Sequence, residues 1–154
     1  MPRKAKTVEE RFHEKYIVDE ETGCWNWTGY LNPGGYGHLR INNDNRFPET
    51  SNLQHGANRV SWVIHNGSIP DEMCVCVDCH NRACVNPNHL FLATMEERML
   101  IKSQRLRNTQ THFNQQEVRI IRNSKLSNSL LAKMLGVTTQ NIRHLKQGYT
   151  YRNI

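Results

Sequence analysis

The segment Cys79-His-Asn-Arg-Ala-Cys84-Val-Asn-Pro-Asn-His89-Leu-Phe-Leu92 decides how this chain folds. Cys79, Cys84 and His89 recur at intervals of five, and the intervening Asn-Pro imposes a tight turn that can gather three side chains round one point. Thiol and imidazole groups at such spacing point to zinc, which takes four ligands in a tetrahedral structural site. One ligand is therefore missing locally. Cys24, far upstream, is the preferred fourth, because a long-range ligand would tie a distant segment to this knuckle. Cys76 forms a Cys-x-x-Cys with Cys79 and is its rival. The five cysteines are an odd number and four of them (Cys74, Cys76, Cys79, Cys84) crowd into eleven residues. That usage suits metal binding in a reducing, cytoplasmic or otherwise intracellular compartment better than a disulfide framework.

Upstream of the knuckle, Asn58 to Asn66 carries Val60, Trp62, Val63 and Ile64 and reads as a short buried helix ended by Gly67 and Pro70. Cys24-Trp-Asn-Trp-Thr28 and Tyr36 to Ile41 both alternate apolar and polar residues across an Asn32-Pro-Gly-Gly turn, which predicts a β-hairpin. In that hairpin Tyr36, His38, Arg40 and Asn42 share a polar face opposite Leu39 and Ile41. Residues 42–55 lack periodicity and read as a long loop. Residues 1–7 form a basic arm, and Val8 to Tyr16 suits a helix with Val8, Phe12 and Tyr16 inward. Downstream, Thr94 can cap a helix running to Ser103, with Glu97 at the capping-box position. Residues 109–114 read as a linker before helices at 115–122, 128–135 and 138–147.

The formal charge is +6 and the isoelectric point about 9.2. The excess is uneven: residues 101–154 hold ten Lys and Arg against the single acid Glu117, and residues 1–100 hold ten against thirteen. A basic tail on a near-neutral body favours a polyanion such as nucleic acid, since phosphate neutralisation releases counterions. No stretch approaches the ~20 apolar residues of a membrane span, and MPRKAKTVEERF lacks the apolar run of a secretory signal.

Gly23-Cys-Trp-Asn-Trp-Thr-Gly29, Gly34-Gly-Tyr-Gly37, Asn58-Arg-Val-Ser-Trp62, His65-Asn-Gly-Ser-Ile-Pro70 and Cys84-Val-Asn-Pro-Asn-His-Leu-Phe-Leu92 occur in this order. Together they resemble the phage and intron HNH (His-Me finger) endonucleases related to the His-Cys box homing enzymes, over residues 23–100. The resemblance implies an α+β, ββα-metal core. It also implies a structural zinc at the positions of Cys24, Cys79, Cys84 and His89, the set preferred from spacing, and a hairpin sheet that contacts DNA through His38, Arg40 and Asn42.

Phosphodiester hydrolysis on such a scaffold needs a general base to activate water and a divalent ion at the scissile phosphate. In the resembling family the base is a His two residues before the first knuckle Cys; here that position holds Val77. The Asn that helps hold the ion matches Arg98, within Glu97-Arg98-Met99, and a cation there opposes a second cation by repulsion. Of the signature only Asn81 survives. His80 is the nearest substitute base, with Asp78, Glu96 and Glu97 the nearest carboxylates. Losing base and metal ligand together argues against cleavage and leaves Arg98 to grip the phosphate.

The run Leu130 to Gly148 reads as a helix-turn-helix. Leu131, Met134 and Leu135 face Val137, Ile142 and Leu145, Ala132 permits close approach, and Gly136 allows the turn. Thr138, Thr139, Gln140, Asn141, Arg143, His144 and Lys146 are then outward, and Gln, Asn and Arg can read base edges in a major groove. The expected organisation is an arm and helix at 1–22, a zinc-bound core at 23–104 and an all-α module at 109–154. The expected function is sequence-specific binding of double-stranded DNA without cleavage, as in a transcriptional regulator, with a homodimer as a candidate assembly. The alternative is a Mg²⁺-dependent nuclease using His80, and a third reading is an interaction module of a larger assembly.

Overall fold

Local sequence sets each element before packing does. In the computed structural model, which describes residues 5–42, 44–47, 54–106 and 113–151, the order is α1 (Val8–His13), β1 (Tyr16–Val18), β2 (Trp25–Trp27), β3 (His38–Arg40), β4 (Gln54–Gly56), α2 (Ala57–Asn66), β5 (Met73–Val77), a 3-10 turn (Pro87–His89), β6 (Leu90–Thr94), α3 (Met95–Leu106), α4 (Gln115–Asn123), α5 (Asn128–Leu135) and α6 (Thr139–Lys146). The chain is thus α+β. Three two-stranded ladders, β1-β2, β3-β4 and β5-β6, alternate with the helices. The sequence β5, β6, α3 has the strand, strand, helix order of the expected core. Most of the basic arm, part of the 42–55 loop and residues 109–112 of the expected linker lie outside the described residues. Among the described residues no helix is long and apolar enough to cross a membrane.

Two compact units divide between Leu92 and Ala93. In the first, Val8, Phe12, Trp27, Leu39, Ile41, Phe47, Ala57, Val60 and Val85 form one buried cluster, with Tyr16, Trp25, Val63, Ile64 and Ala83 packed on it. Fully burying one such large apolar side chain stabilises by roughly 1.5–3 kcal/mol. α1 is a single turn and a half, closed by a capping box between Thr7 and Glu10. It ends at His13, short of the expected Tyr16, because the chain turns there into β1 and Tyr16 pairs with Trp27.

The expected hairpin is a correction. Trp25–Trp27 does not pair with His38–Arg40; β2 takes β1 as its antiparallel neighbour (Ile17 opposite Asn26), and β3 takes β4 (Leu39 opposite His55). The Asn32-Pro-Gly-Gly turn is nonetheless made. It joins Tyr30 to His38 through one bridge, Leu31 opposite Gly37, flanked by bonds from Asn32 N to Tyr36 O (2.9 Å) and from His38 N to Tyr30 O (2.9 Å). β3 cannot join β2 because both edges of β2 are taken, one by β1 and the other by residues 83–85; Trp27 packs instead on the turn, where a Cβ built on Gly37 would lie 2.5 Å from its Cδ1 and 3.0 Å from Ala57 Cβ. The alternation of residues 36–42 holds, with Leu39 and Ile41 buried and Tyr36, Arg40 and Asn42 exposed.

The second unit is helical. Thr94 and Glu97 close the capping box at the start of α3: Thr94 N donates to Glu97 Oε2 at 2.8 Å, and Glu97 N donates to Thr94 Oγ1 at 3.2 Å. Asn114 and Glu117 do the same for α4. α5 ends on Gly136 at φ +69°, a left-handed cap that glycine adopts without strain. α6 starts three residues later, at Thr139, with the N-cap Thr138 accepting from Asn141 N. Leu131, Ala132, Met134, Leu135, Ile142 and Leu145 are buried with Val118 and Ile121, so α4, α5 and α6 share one apolar centre.

Candidate metal centre and adjacent surfaces

β2 brings the distant cysteine to the knuckle. One edge of this strand pairs with β1, and the other is hydrogen-bonded to residues 83–85: Trp27 N donates to Ala83 O and Val85 N to Trp25 O, each at 2.9 Å, with Asn26 bridged to Cys84. Cys24, at the head of β2, therefore lies beside Cys84. Asn81 locks this junction, donating from Nδ2 to Asn26 Oδ1 at 2.6 Å and accepting from Ala83 N at 3.1 Å. Ser61 of α2 is fully buried and donates to Val85 O at 2.6 Å. On the far side, Asn86 Nδ2 donates to Gly23 O at 2.5 Å, and Asn86 Oδ1 accepts from Asn88 N to shape the Pro87–His89 turn. Gly23, at φ +68°, leaves the space beside the His89 ring: a Cβ there would stand 3.7 Å from Cε1 and Nε2.

These contacts converge Cys24, Cys79, Cys84 and His89, whose ligand atoms all lie within 4.8 Å of one another. Cys24 Sγ is 3.7 Å from Cys79 Sγ and 3.6 Å from His89 Nδ1, and Cys84 Sγ is 3.5 Å from the same Nδ1. The group can hold a metal ion. Cys76 is on β5 and is outside it, as is Cys74. Burial pushes the Cys84 thiol up to about 12 and also raises Cys79. At Cys24 burial acts in the same direction, but hydrogen bonds from Thr22, Cys79, Cys84 and Asn81 outweigh it and lower the thiol. Any cation bound here must displace protons, so its affinity rises with pH.

The positions read from the resemblance as catalytic fall on different elements. Val77 ends β5, half-buried; His80 is exposed at φ +62°, on the turn after Cys79; Arg98 is exposed on α3. Asn81 is committed to the junction with Asn26. Thr138, which caps α6, and Thr139, Gln140, Asn141 and Arg143 on it are exposed, and His144 is half-buried. Gln140 Nε2 lies 2.6 Å from His144 Nε2, and Arg143 Nη1 donates towards Gln140 Oε1 at 3.4 Å. Lys146 departs from its expected outward position. Its Nζ donates to Ser124 O and Leu126 O, both at 3.0 Å, because the chain between α4 and α5 leaves these carbonyls without helical partners and within reach.

On unit 1, Tyr30 and Arg82 join the polar face expected of Tyr36, His38, Arg40 and Asn42. Arg82 Nη1 donates to Gly34 O at 3.0 Å, and its guanidinium stands 5.7 Å from the Tyr36 ring centroid. Period-two reading from the Gly-Gly turn back to Tyr30 could have found the tyrosine. Nothing in the sequence pairs Arg82 with Tyr36.

Residues 55–100 match the family described as HNH endonuclease. Protein 2.8 of Escherichia phage T7 is 28% identical over 128 residues, covering 82% of this chain and 84% of that protein. Protein 7.7 of the same phage is 29% identical over 136 residues, covering 85% and 98%. No solved structure matches.

Proposed function

With an HNH endonuclease segment at residues 55–100 as premise, we propose that this protein is a zinc-stabilised, sequence-specific binder of double-stranded DNA that has kept the nuclease scaffold and lost the cleavage chemistry. The observation that carries the reading is the metal-ligand quartet, whose Cys79 stands two residues beyond Val77, the position of the family's general base. The scaffold is maintained and the reactive group is not.

Three of the ligand separations in the quartet suit zinc. Ligand bonds of ~2.3 Å to sulfur and ~2.0–2.1 Å to nitrogen at tetrahedral angles place sulfurs about 3.8 Å apart and sulfur and nitrogen about 3.6 Å apart. The distances here are 3.7 Å for Cys24 to Cys79, and 3.6 and 3.5 Å for His89 Nδ1 to Cys24 and Cys84. When bound, the ion supplies folding free energy by crosslinking β2 to the knuckle.

DNA is gripped by two sets of side chains in this reading. Gln140, Asn141 and Arg143 are exposed on a helix that follows α5 through a short turn, as a recognition helix requires. His38, Arg40, Asn42 and Arg98 add contacts from the rest of the chain, Arg98 holding a phosphate where the nuclease relatives hold an ion. Arg98 as a permanent cation makes binding independent of Mg²⁺. Regulation of transcription is the use that fits a binder that does not cut, and a homodimer would supply a two-fold related pair of recognition helices.

Selection of duplex sites by the full chain from a random pool in Mg²⁺-free buffer tests this. A recovered consensus that Gln140→Ala or Asn141→Ala relaxes supports the reading; recovery of no common sequence refutes specificity. The reading of an active nuclease rests on one observation, the exposure of His80 beside the quartet, and a His80→Ala variant separates it.

A further inference from the structure

We infer that the face formed by Tyr30, Asn32, Tyr36 and His38, with Arg82, is a binding platform for unpaired nucleic-acid bases, as in a single strand or an opened stretch of duplex. The site lies wholly in the first unit and takes from the proposed function only the class of polymer.

Residues paired across an antiparallel turn share a face. The bridge Leu31 to Gly37 and its flanking bonds set Tyr30 opposite His38 and Asn32 opposite Tyr36, so these four side chains project together. Their contacts agree: the Tyr30 and His38 rings are 6.3 Å apart, and Asn32 Nδ2 is 3.2 Å from His38 Nε2. Tyr30 is 65% exposed and Tyr36 39% exposed, unlike Phe12 and Trp27, which fill the core beneath. The platform is rigid from behind, because Gly37 is packed against Trp27 and Ala57 too closely to admit a Cβ.

Charge selects the occupant. None of residues 22–43 or 79–92 is acidic, and Arg40, His80 and Arg82 are exposed among them. Arg82 is held by Gly34 O and lies over Tyr36, which leaves other guanidinium donors for a phosphate flanking a stacked base. Aromatic rings interleaved with cations on segments that carry no acid match the chemistry of a single strand, whose base faces are open for stacking. In a perfect duplex those faces are covered by neighbouring pairs, so the tyrosines add affinity only where bases are unpaired.

Fluorescence anisotropy of the full, metal-replete chain with labelled oligothymidylate and with a perfect duplex tests the site. Tyr30→Leu and Tyr36→Leu should each weaken single-strand binding roughly tenfold while duplex binding stays within about twofold, and Tyr36→Phe should retain both. Circular dichroism and metal content identify any variant that fails to fold, and Arg82→Ala then serves in its place, with the same selective loss expected. Equal losses on both polymers, or none on the single strand, overturn the inference. So does a dimer that the tyrosine variants dissociate with oligonucleotide affinity unchanged, since the face would then join two copies. A natural chain that binds neither polymer removes the nucleic-acid reading itself, whereas duplex binding without a single-strand component removes this site alone.

Discussion

Cys24 Sγ and His89 Nδ1 lie 3.6 Å apart although 65 residues separate them. The approach is made by backbone, since β2 is stitched to residues 83–85 before any ligand is counted. Metal should therefore be present at about one ion per chain, and Cys24→Ala, Cys84→Ala and His89→Ala should each lose it. Cys74→Ala and Cys76→Ala should keep it, because neither is in the quartet. Elemental analysis of the purified variants checks this; stoichiometric metal in Cys24→Ala with loss in Cys76→Ala would reverse the assignment of the fourth ligand.

Gly37→Ala should destabilise the first unit by about 1–3 kcal/mol, the usual cost of overpacking. The new methyl would sit 2.5 Å from Trp27 Cδ1 and 2.7 Å from Cγ. Urea unfolding followed by tryptophan fluorescence measures it, and an unchanged midpoint would show that Trp27 can move.

His55 is buried and paired opposite Leu39, and its imidazole is held below the ordinary value by burial first and by Arg59 second. The folded state disfavours the imidazolium, while the unfolded chain takes up the proton near pH ~6.5. Above that pH the group adds no pH dependence to stability; as pH falls from there through the folded value, stability is lost. His55→Gln should flatten this part of the stability curve relative to the natural chain, and two parallel curves would contradict the assignment.

Lys146 and Arg143 should separate in a salt titration of DNA binding. Arg143 is exposed on α6, and Arg143→Ala should reduce the slope of log affinity against log salt by about one. Lys146 is occupied by Ser124 O and Leu126 O. Lys146→Met should leave the slope unchanged and instead lower the stability of the helical unit by about 1–3 kcal/mol, the range for a charged donor lost from its acceptors. A reduced slope in Lys146→Met would return that residue to the DNA face.

The elements with strong local signals were legible. Thr94 with Glu97 marks the start of α3, Gly136 the end of α5, and Leu131, Met134, Ile142 and Leu145 their shared apolar face. The knuckle spacing likewise pointed to three of the residues that the structure brings together. What failed was strand pairing. Trp25-Asn-Trp27 and His38-Leu-Arg40 each carry a proper alternation, but alternation names a strand's faces and not its partner. The partners of β2 are the segments that reach its two edges, β1 and residues 83–85, and which segments reach them is a three-dimensional condition. β4 was missed because three residues, Gln54 to Gly56, are too few to show a period. Lys146 was misplaced because helical periodicity gives a residue's direction and not the reach of a long side chain back to nearby carbonyls.

Plasmid nicking tests the proposal that a nuclease scaffold here binds DNA without cutting it. The natural, metal-replete chain is incubated with supercoiled plasmid and Mg²⁺ or Mn²⁺, beside a Val77→His, Arg98→Asn variant that returns the base and the metal ligand together. The account predicts no conversion to open-circle or linear DNA by the natural chain under conditions where a mobility shift shows it bound. Metal-dependent nicking by the natural chain, abolished by His80→Ala, would contradict it and make His80 the general base.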